Sequence, residues 1–229
     1  MTVETPLLAP GPPARMVTLP GVYVPQYDTQ FLMAALDQEE MRPGSDVLDL
    51  GTGSGALAVR AAQLGGRVTA VDIAWRAVLT ARLNAFLCRQ RVMVRREDLT
   101  ASVSRRSYDI VLSNPPYVPA PGGLPPRHGQ ARAWDAGGDG RALVDRICDA
   151  APAVVRPQGV LLLVHSDLCG TEATLRRLSR VGMRATVSER ALVPFGPVVR
   201  SRLPWLRERG LIGDGQDREE LVIIRAEHA

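Results

Sequence analysis

The 229-residue sequence predicts an α/β fold with a mainly parallel sheet. Three observations carry that prediction. Short apolar runs alternate along the chain with stretches of helical periodicity. One run, Val47 to Leu50, ends in a turn carrying Gly51, Gly53 and Gly55. Another, Tyr108 to Ser113, ends in Asn114-Pro115-Pro116-Tyr117, where two prolines stop both helix and ladder. Both breaks fall at the C-terminal ends of strands, where open α/β sheets place their ligands.

The elements follow in order. Residues 1–20 are proline-rich without the basic-then-apolar order of a signal peptide, and read as a flexible lead-in to one domain, 21–229. Asp28 and Thr29 can cap a helix whose apolar positions are Phe31, Leu32, Ala35 and Leu36. Asp46 to Leu50 is a strand, Ser54 to Leu64 a helix closed by Gly65-Gly66, and Arg67 to Asp72 a second strand. Ala74 to Cys88 reads as a helix and Val92 to Arg95 as a short strand. After the Tyr108 strand comes a Pro/Gly loop, 118–138, long enough to suggest function. Leu143, Val144, Ile147 and Ala150 mark a helix, Val160 to His165 a strand, and Thr171 to Arg180 a helix. Met183 to Arg190 and Leu221 to Arg225 are the last strands, with residues 195–216 inserted between them.

Composition narrows the function. All 28 basic residues are arginine, and Asn84 and Asn114 are the only asparagines, as codon bias in a GC-rich genome would produce. The net charge of +4 therefore does not imply a nucleic-acid partner, and the arginines alternate with acids as on a solvated surface. Cys88, Cys148 and Cys169 are odd in number and widely spaced, and the three histidines are scattered, so no metal spacing exists. No apolar run reaches the ~18 residues of a membrane span. The expectation is a reduced, cytoplasmic chain without a metal.

A strand-to-helix turn against a ligand needs positive φ and a backbone free of Cβ, and the helix then aims its free N–H groups at the ligand. Gly51-x-Gly53-x-x-Ala56 with Asp72 about 20 residues on also satisfies the dinucleotide fingerprint. Two features favour S-adenosylmethionine (SAM) instead. Asp49 lies just inside the turn, where a carboxylate repels a pyrophosphate but suits the ammonium of a methionine moiety. The rest of the chain lacks a hydride-transfer constellation. Asp98, closing the third strand, is a candidate for the adenine amino group or a plain turn residue.

The Asn-Pro-Pro-Tyr loop supplies the chemistry. An amide or aniline-like nitrogen is a poor nucleophile because its lone pair is delocalised. Two acceptors that take both N–H hydrogens draw the nitrogen towards tetrahedral geometry and aim the lone pair at the methyl group. The Asn114 side-chain oxygen and the Pro115 carbonyl suit that work, and Tyr117 can cover a planar amide or base.

These residues resemble the N6-adenine and glutamine-N5 methyltransferases. Val22 to Leu32 and Trp134 to Arg141 further resemble two segments of the short release-factor glutamine methyltransferases of eukaryotes and archaea. The resemblance runs from about residue 21 to 195. It implies a Rossmann-like, seven-strand class I SAM-dependent methyltransferase with the last strand antiparallel. It also implies Thr29, Asp49, Gly51, Asp72 and Asp98 around SAM, with Gly53 and Gly55 in the same turn. Asn114, Pro115 and Tyr117 fall at the target nitrogen, with Asn114 also beside the cofactor. The implied acceptor is the glutamine of a Gly-Gly-Gln loop in a peptide-chain release factor. An rRNA or DNA base, a protein lysine and a small molecule are the alternatives. Tyr27 stands where the short enzymes usually carry an acid. The 195–216 insertion is extra to the family, and either forms a substrate lid bearing Arg200, Arg202, Trp205 and Arg207 or simply packs down. The short enzymes also work with a small zinc-bearing activator subunit that covers an apolar sheet edge. Here Arg91, Arg95 and Arg96 flank the expected edge strand, so such a partner is not indicated.

Overall fold

The computed structural model describes residues 16–99, 107–123, 131 and 134–229. Seven strands form one sheet: β1 (Asp46–Leu50), β2 (Arg67–Asp72), β3 (Val92–Arg96), β4 (Tyr108–Ser113), β5 (Val155–Ser166), β6 (Met183–Pro194) and β7 (Arg218–His228). Their order is β3-β2-β1-β4-β5-β7-β6, with β7 antiparallel to both neighbours. The helices are α1 (Tyr27–Gln38), α2 (Ala56–Gln63), α3 (Trp75–Leu87), α4 (Ala142–Val154) and α5 (Thr171–Arg180). Two short ones, α6 (Pro197–Ser201) and α7 (Leu203–Glu208), lie between β6 and β7.

Strand alternation builds two cores, one on each face of the sheet. Val47, Ile110, Leu112, Leu162 and Ile223 face α1 and α2, meeting Leu32, Leu36, Leu57 and Ala58. Leu48, Val111, Leu161, Leu163, Val222 and Ile224 face α4 and α5, meeting Val144, Ile147, Ala151 and Leu178. The order reverses between β1 and β4, so the glycine turn and the Asn-Pro-Pro-Tyr loop end adjacent strands at the switch point.

Four details add to the sequence reading, and the first two correct it. Asp28 and Thr29 do not cap α1. The helix starts at Tyr27 with Gln26 before it, and the Asp28 carboxylate accepts the Thr29 N–H from inside the first turn. The outer strands are longer than their apolar runs, because β6 and β7 pair along their whole length and extend each other. The helix expected over Ala74 to Cys88 spans Trp75–Leu87 and carries an outward apolar stripe: Trp75, Leu79, Leu83 and Phe86 are exposed beside the edge strand β3, Phe86 to 78%. In the 118–138 loop, Val118 bridges Asp135, and residues 124–130 and 132–133 of that loop lie outside the described residues.

Of the 1–20 lead-in, residues 1–15 also lie outside the described residues. Val17 is held at both backbone groups by the Asn84 side chain of α3, at 2.8 Å each. Among the described residues, no helix is long and apolar enough to cross a membrane, and no group of three or more His, Cys, Asp or Glu could hold a metal ion.

Candidate active site

A cleft of about 500 Å³ opens over the switch point, a volume usual for a small-molecule site. It is lined by Gly51, Gly53, Asp72 and Asp98, which follow or close β1, β2 and β3, and by Thr29 of α1 with Asn114, Pro115 and Tyr117 after β4. The sequence-predicted residues therefore converge, with two exceptions: Asp49 and Gly55 lie beneath the cleft wall.

The turn is built as the glycines require. Gly51, Gly53 and Gly55 all have positive φ. A Cβ on Gly51 would meet no atom within 4 Å, so that space is open to a ligand, whereas one on Gly55 would strike Ala81 of α3 at 2.9 Å. Gly55 thus serves the contact between α2 and α3. Asp72 accepts from the N–H of Gly53 at 3.0 Å and of Ala74 at 2.8 Å, fixing the turn and the start of α3 at once.

Asp49 corrects an expectation. It is fully buried, and its Oδ2 accepts from the Thr52 hydroxyl at 2.6 Å and the Ala58 N–H at 3.1 Å. Oδ1 has no hydrogen-bond partner. Asp49 therefore anchors the turn from below and does not line the cleft. Burial pushes its pKa up to about 7, against the lowering effect of its two donors. The folded pKa lies above the ordinary 3.8, so the stability it allows is fully present below about pH 4 and is lost as pH rises towards 7. Asp49→Asn keeps an oxygen for Thr52 and Ala58 but removes the charge. It should raise Tm at pH 8, with the gain fading to nothing near pH 4. A thermal-melt series across that range checks this, and a pH-independent gain would locate the effect elsewhere.

After β4, Asn114 donates from Nδ2 to Thr29 Oγ1 at 3.2 Å, which leaves Oδ1 as its atom for accepting from a ligand. Thr29 is buried and orients Asn114 as well as lining the cleft. Below it sits a cluster that the sequence did not reveal. Asp28 Oδ2 accepts from the Tyr23 hydroxyl at 2.8 Å and the Tyr117 hydroxyl at 3.1 Å. Burial and the Asp28 carboxylate hold both phenols well above their usual pKa. They stay protonated as donors. Tyr117 packs against both cores and a third cluster, so its ring is fixed.

Asp98 lines the cleft paired with Arg146 of α4, 48 residues away in sequence. The third apolar cluster settles the insertion. Phe195, Val199, Leu206 and Ile212 are buried against Val118, and Arg202 binds the Pro119 carbonyl and Asp135. Arg200 and Arg207 face water, while Pro197, Val198 and Val199 line the cleft. The segment packs down, and in doing so forms a wall of the site.

A glycine turn with a following acidic strand end, set beside an Asn-Pro-Pro-Tyr loop on this strand order, defines a class I methyltransferase. Comparisons with known proteins agree. The family model of the methyltransferase small domain matches residues 13–122. A Methanocaldococcus jannaschii protein, provisionally named a protein N5-glutamine methyltransferase, is 32% identical, covering 77% of this chain and 88% of that protein. A release factor glutamine methyltransferase of Bordetella pertussis is 36% identical, covering 76% and 67%. Among solved structures, the E. cuniculi Mtq2–Trm112 complex, responsible for methylating the eRF1 termination factor, matches with a TM-score of 0.62 and 26% identity. That match covers 91% of this chain and 99% of the matched chain. The chain belongs to the protein N5-glutamine methyltransferase family and is an N-methyltransferase.

Proposed function

We propose that this chain, through its domain at 21–229, transfers a methyl group from SAM to the glutamine N5 of the Gly-Gly-Gln loop of a cytoplasmic peptide-chain release factor. The observation that carries the reading is Asn114, whose amide is turned by Thr29 so that Oδ1 remains to accept, beside a glycine turn with room for a cofactor. The relatives' names supply the acceptor.

The cleft fits SAM in its open glycine cradle and its acidic edge. Gly51, Gly53 and Asp72 would hold the methionine and ribose portions, Asp98 with Arg146 the adenine end, and Thr29 the region near the reacting centre. Asp49 supports the turn without touching it, and Gly55 lets α2 approach α3. Bound there, SAM supplies an electrophilic sulfonium methyl.

The chain's own residues do the rest. Asn114 Oδ1 and the Pro115 carbonyl accept the two N–H groups of the glutamine amide, which turns the lone pair out of conjugation and towards the methyl. The same two oxygens would stabilise the positive charge that grows on nitrogen as the N–C bond forms and the S–C bond breaks; S-adenosylhomocysteine is the leaving group, and one N–H proton passes to water. The tethered Tyr117 ring covers the amide plane. No strong base is required.

A small partner subunit is part of the reading. The E. cuniculi protein works in a complex, and here the exposed α3 stripe with Ile73 and Met93 lies beside edge strand β3. Arginines do occupy that edge, Arg82 binding the Val94 carbonyl and Arg96 the Ile73 carbonyl. They tie down backbone acceptors without covering the apolar stripe, so edge charge alone does not argue against a partner.

Labelled-methyl transfer tests both points. The expected result is one methyl on the Gly-Gly-Gln glutamine by mass spectrometry, with a mild salt dependence. Phosphate-driven nucleic-acid binding would instead lose orders of magnitude in affinity with salt. Label entering only RNA or DNA, or a release factor with Gln replaced by Ala accepting as well as the parent, sinks the acceptor assignment. Full turnover by the purified chain alone would remove the partner and leave the acceptor standing.

A further inference from the structure

Glu219 is a buried acid in the cleft wall that, unlike Asp28 with its two tyrosine donors, has no part in the proposed mechanism. It is the second residue of β7, in register with Val193 and directly after the inserted segment. Its neighbours go outward, Glu220 pairing with Arg190, while Glu219 turns in and is only 5% exposed. Its carboxyl meets the Ser166 hydroxyl and the Gly196 N–H, and Oε2 has no hydrogen-bond partner. No arginine or histidine acts on it among the described residues; the nearby charge is Asp28.

A buried carboxyl with an unfilled oxygen is costly, and Glu219, unlike Asp49, lines the cleft, where a ligand can reach that oxygen. Such a group persists where a ligand completes it. Its location says which ligand. The groups that feel Glu219 are Asp28, Tyr23 and Tyr117, all at the Asn114 end, and none is a cofactor-side acid. Two carboxyls without a cation between them favour a hydrogen-bond donor and repel a phosphate.

Resting on the acceptor reading above, we propose that Glu219 is a recognition residue for the methyl acceptor, its free oxygen accepting a hydrogen bond from an N–H on the acceptor loop. That N–H is not on the reacting nitrogen, because Asn114 Oδ1 and the Pro115 carbonyl already take both of its hydrogens. A backbone N–H of the acceptor loop meets this need. The Gly196 contact also makes the insertion part of acceptor recognition, since it holds the other side of the same carboxyl.

Glu219→Gln keeps the shape and removes the charge. Three measurements separate recognition from a structural role. The acceptor KM, with a release factor as substrate, should rise about tenfold or more, with kcat changed by less than threefold. The S-adenosylhomocysteine Kd by calorimetry should stay within twofold. The Tm of the unliganded protein should stay level or rise by roughly 2–4 °C, because an uncompensated buried charge is gone. An acceptor KM within twofold of the parent's overturns the proposal. So does a Tm that falls together with activity, which is the mark of a structural acid. A parent enzyme inactive on the release factor refutes the acceptor reading instead. The KM comparison then moves to whichever labelled acceptor the parent uses, and the same two results decide Glu219.

Discussion

Asn114→Ala should cut turnover at least about a hundredfold while leaving SAM affinity nearly unchanged. A hundredfold corresponds to about 2.7 kcal/mol of transition-state stabilisation, within the range for losing one well-aimed hydrogen-bonding group. The reason for the split is positional. In the proposed mechanism Asn114 Oδ1 accepts from the target amide, whereas Gly51, Gly53 and Asp72 would hold the cofactor. Thr29→Val gives a finer check: it removes the hydroxyl that fixes the Asn114 amide and should lower kcat by a smaller factor. Single-turnover kinetics with calorimetry on the same preparations read both quantities. Turnover within a few-fold of the parent for Asn114→Ala would make the loop structural and the mechanism wrong.

Gly140→Ala should damage both stability and turnover. Gly140 has φ +74°, and an added Cβ would overlap the Tyr117 carbonyl oxygen while standing 3.2 Å from Cys169 Cβ and Pro119 Cδ. Left-handed backbone for a residue with Cβ costs about 1–2 kcal/mol, and forced overlap about 1–3 more. For a domain of this size the sum lowers Tm by roughly 4–20 °C. Relief of the clash requires Tyr117 to move, which disturbs the bond from its hydroxyl to Asp28 and the loop that carries Asn114. Gly138→Ala is the internal control, since a Cβ there meets nothing within 4 Å and the backbone is ordinary. Parental Tm and kcat in Gly140→Ala would show that the two loops do not touch in this way.

The Gly140 contact explains why a segment beyond the catalytic loop resembles the family at all. Trp134 to Arg141 braces the loop: the Trp134 carbonyl accepts from the Val118 N–H, and the Val118 carbonyl accepts from Ala136. Arg141 then reaches the Cys169 and Gly170 carbonyls and Asp145, tying the brace to α4 and the end of β5. The sequence shows the motif, and only the fold gives it a task.

Strands β1, β2 and β4, the glycine turn and the Asn-Pro-Pro-Tyr loop were legible from the sequence, because each is set by neighbours within a few positions. A short apolar run with a glycine or proline stop has few other conformations available. The α/β class, the ends of those strands and the position of Asn114, Pro115 and Tyr117 directly after β4 follow from such local rules. Tertiary structure alone decided what depends on distant partners. Asp28 gains Tyr117 from 89 residues away, Asp98 gains Arg146, and Asp49 sinks beneath the turn it was expected to flank. The outward apolar stripe of α3 became visible only in the fold, because β3 is the edge strand and nothing among the described residues covers that face. Glu219 looks like any charge at a strand's start, and its inward turn follows from β7 pairing and the returning insertion. Local conformation is fixed by backbone sterics that act over a few residues. The environment of a charge depends on every segment that excludes water from it, and that is known only once the chain has folded.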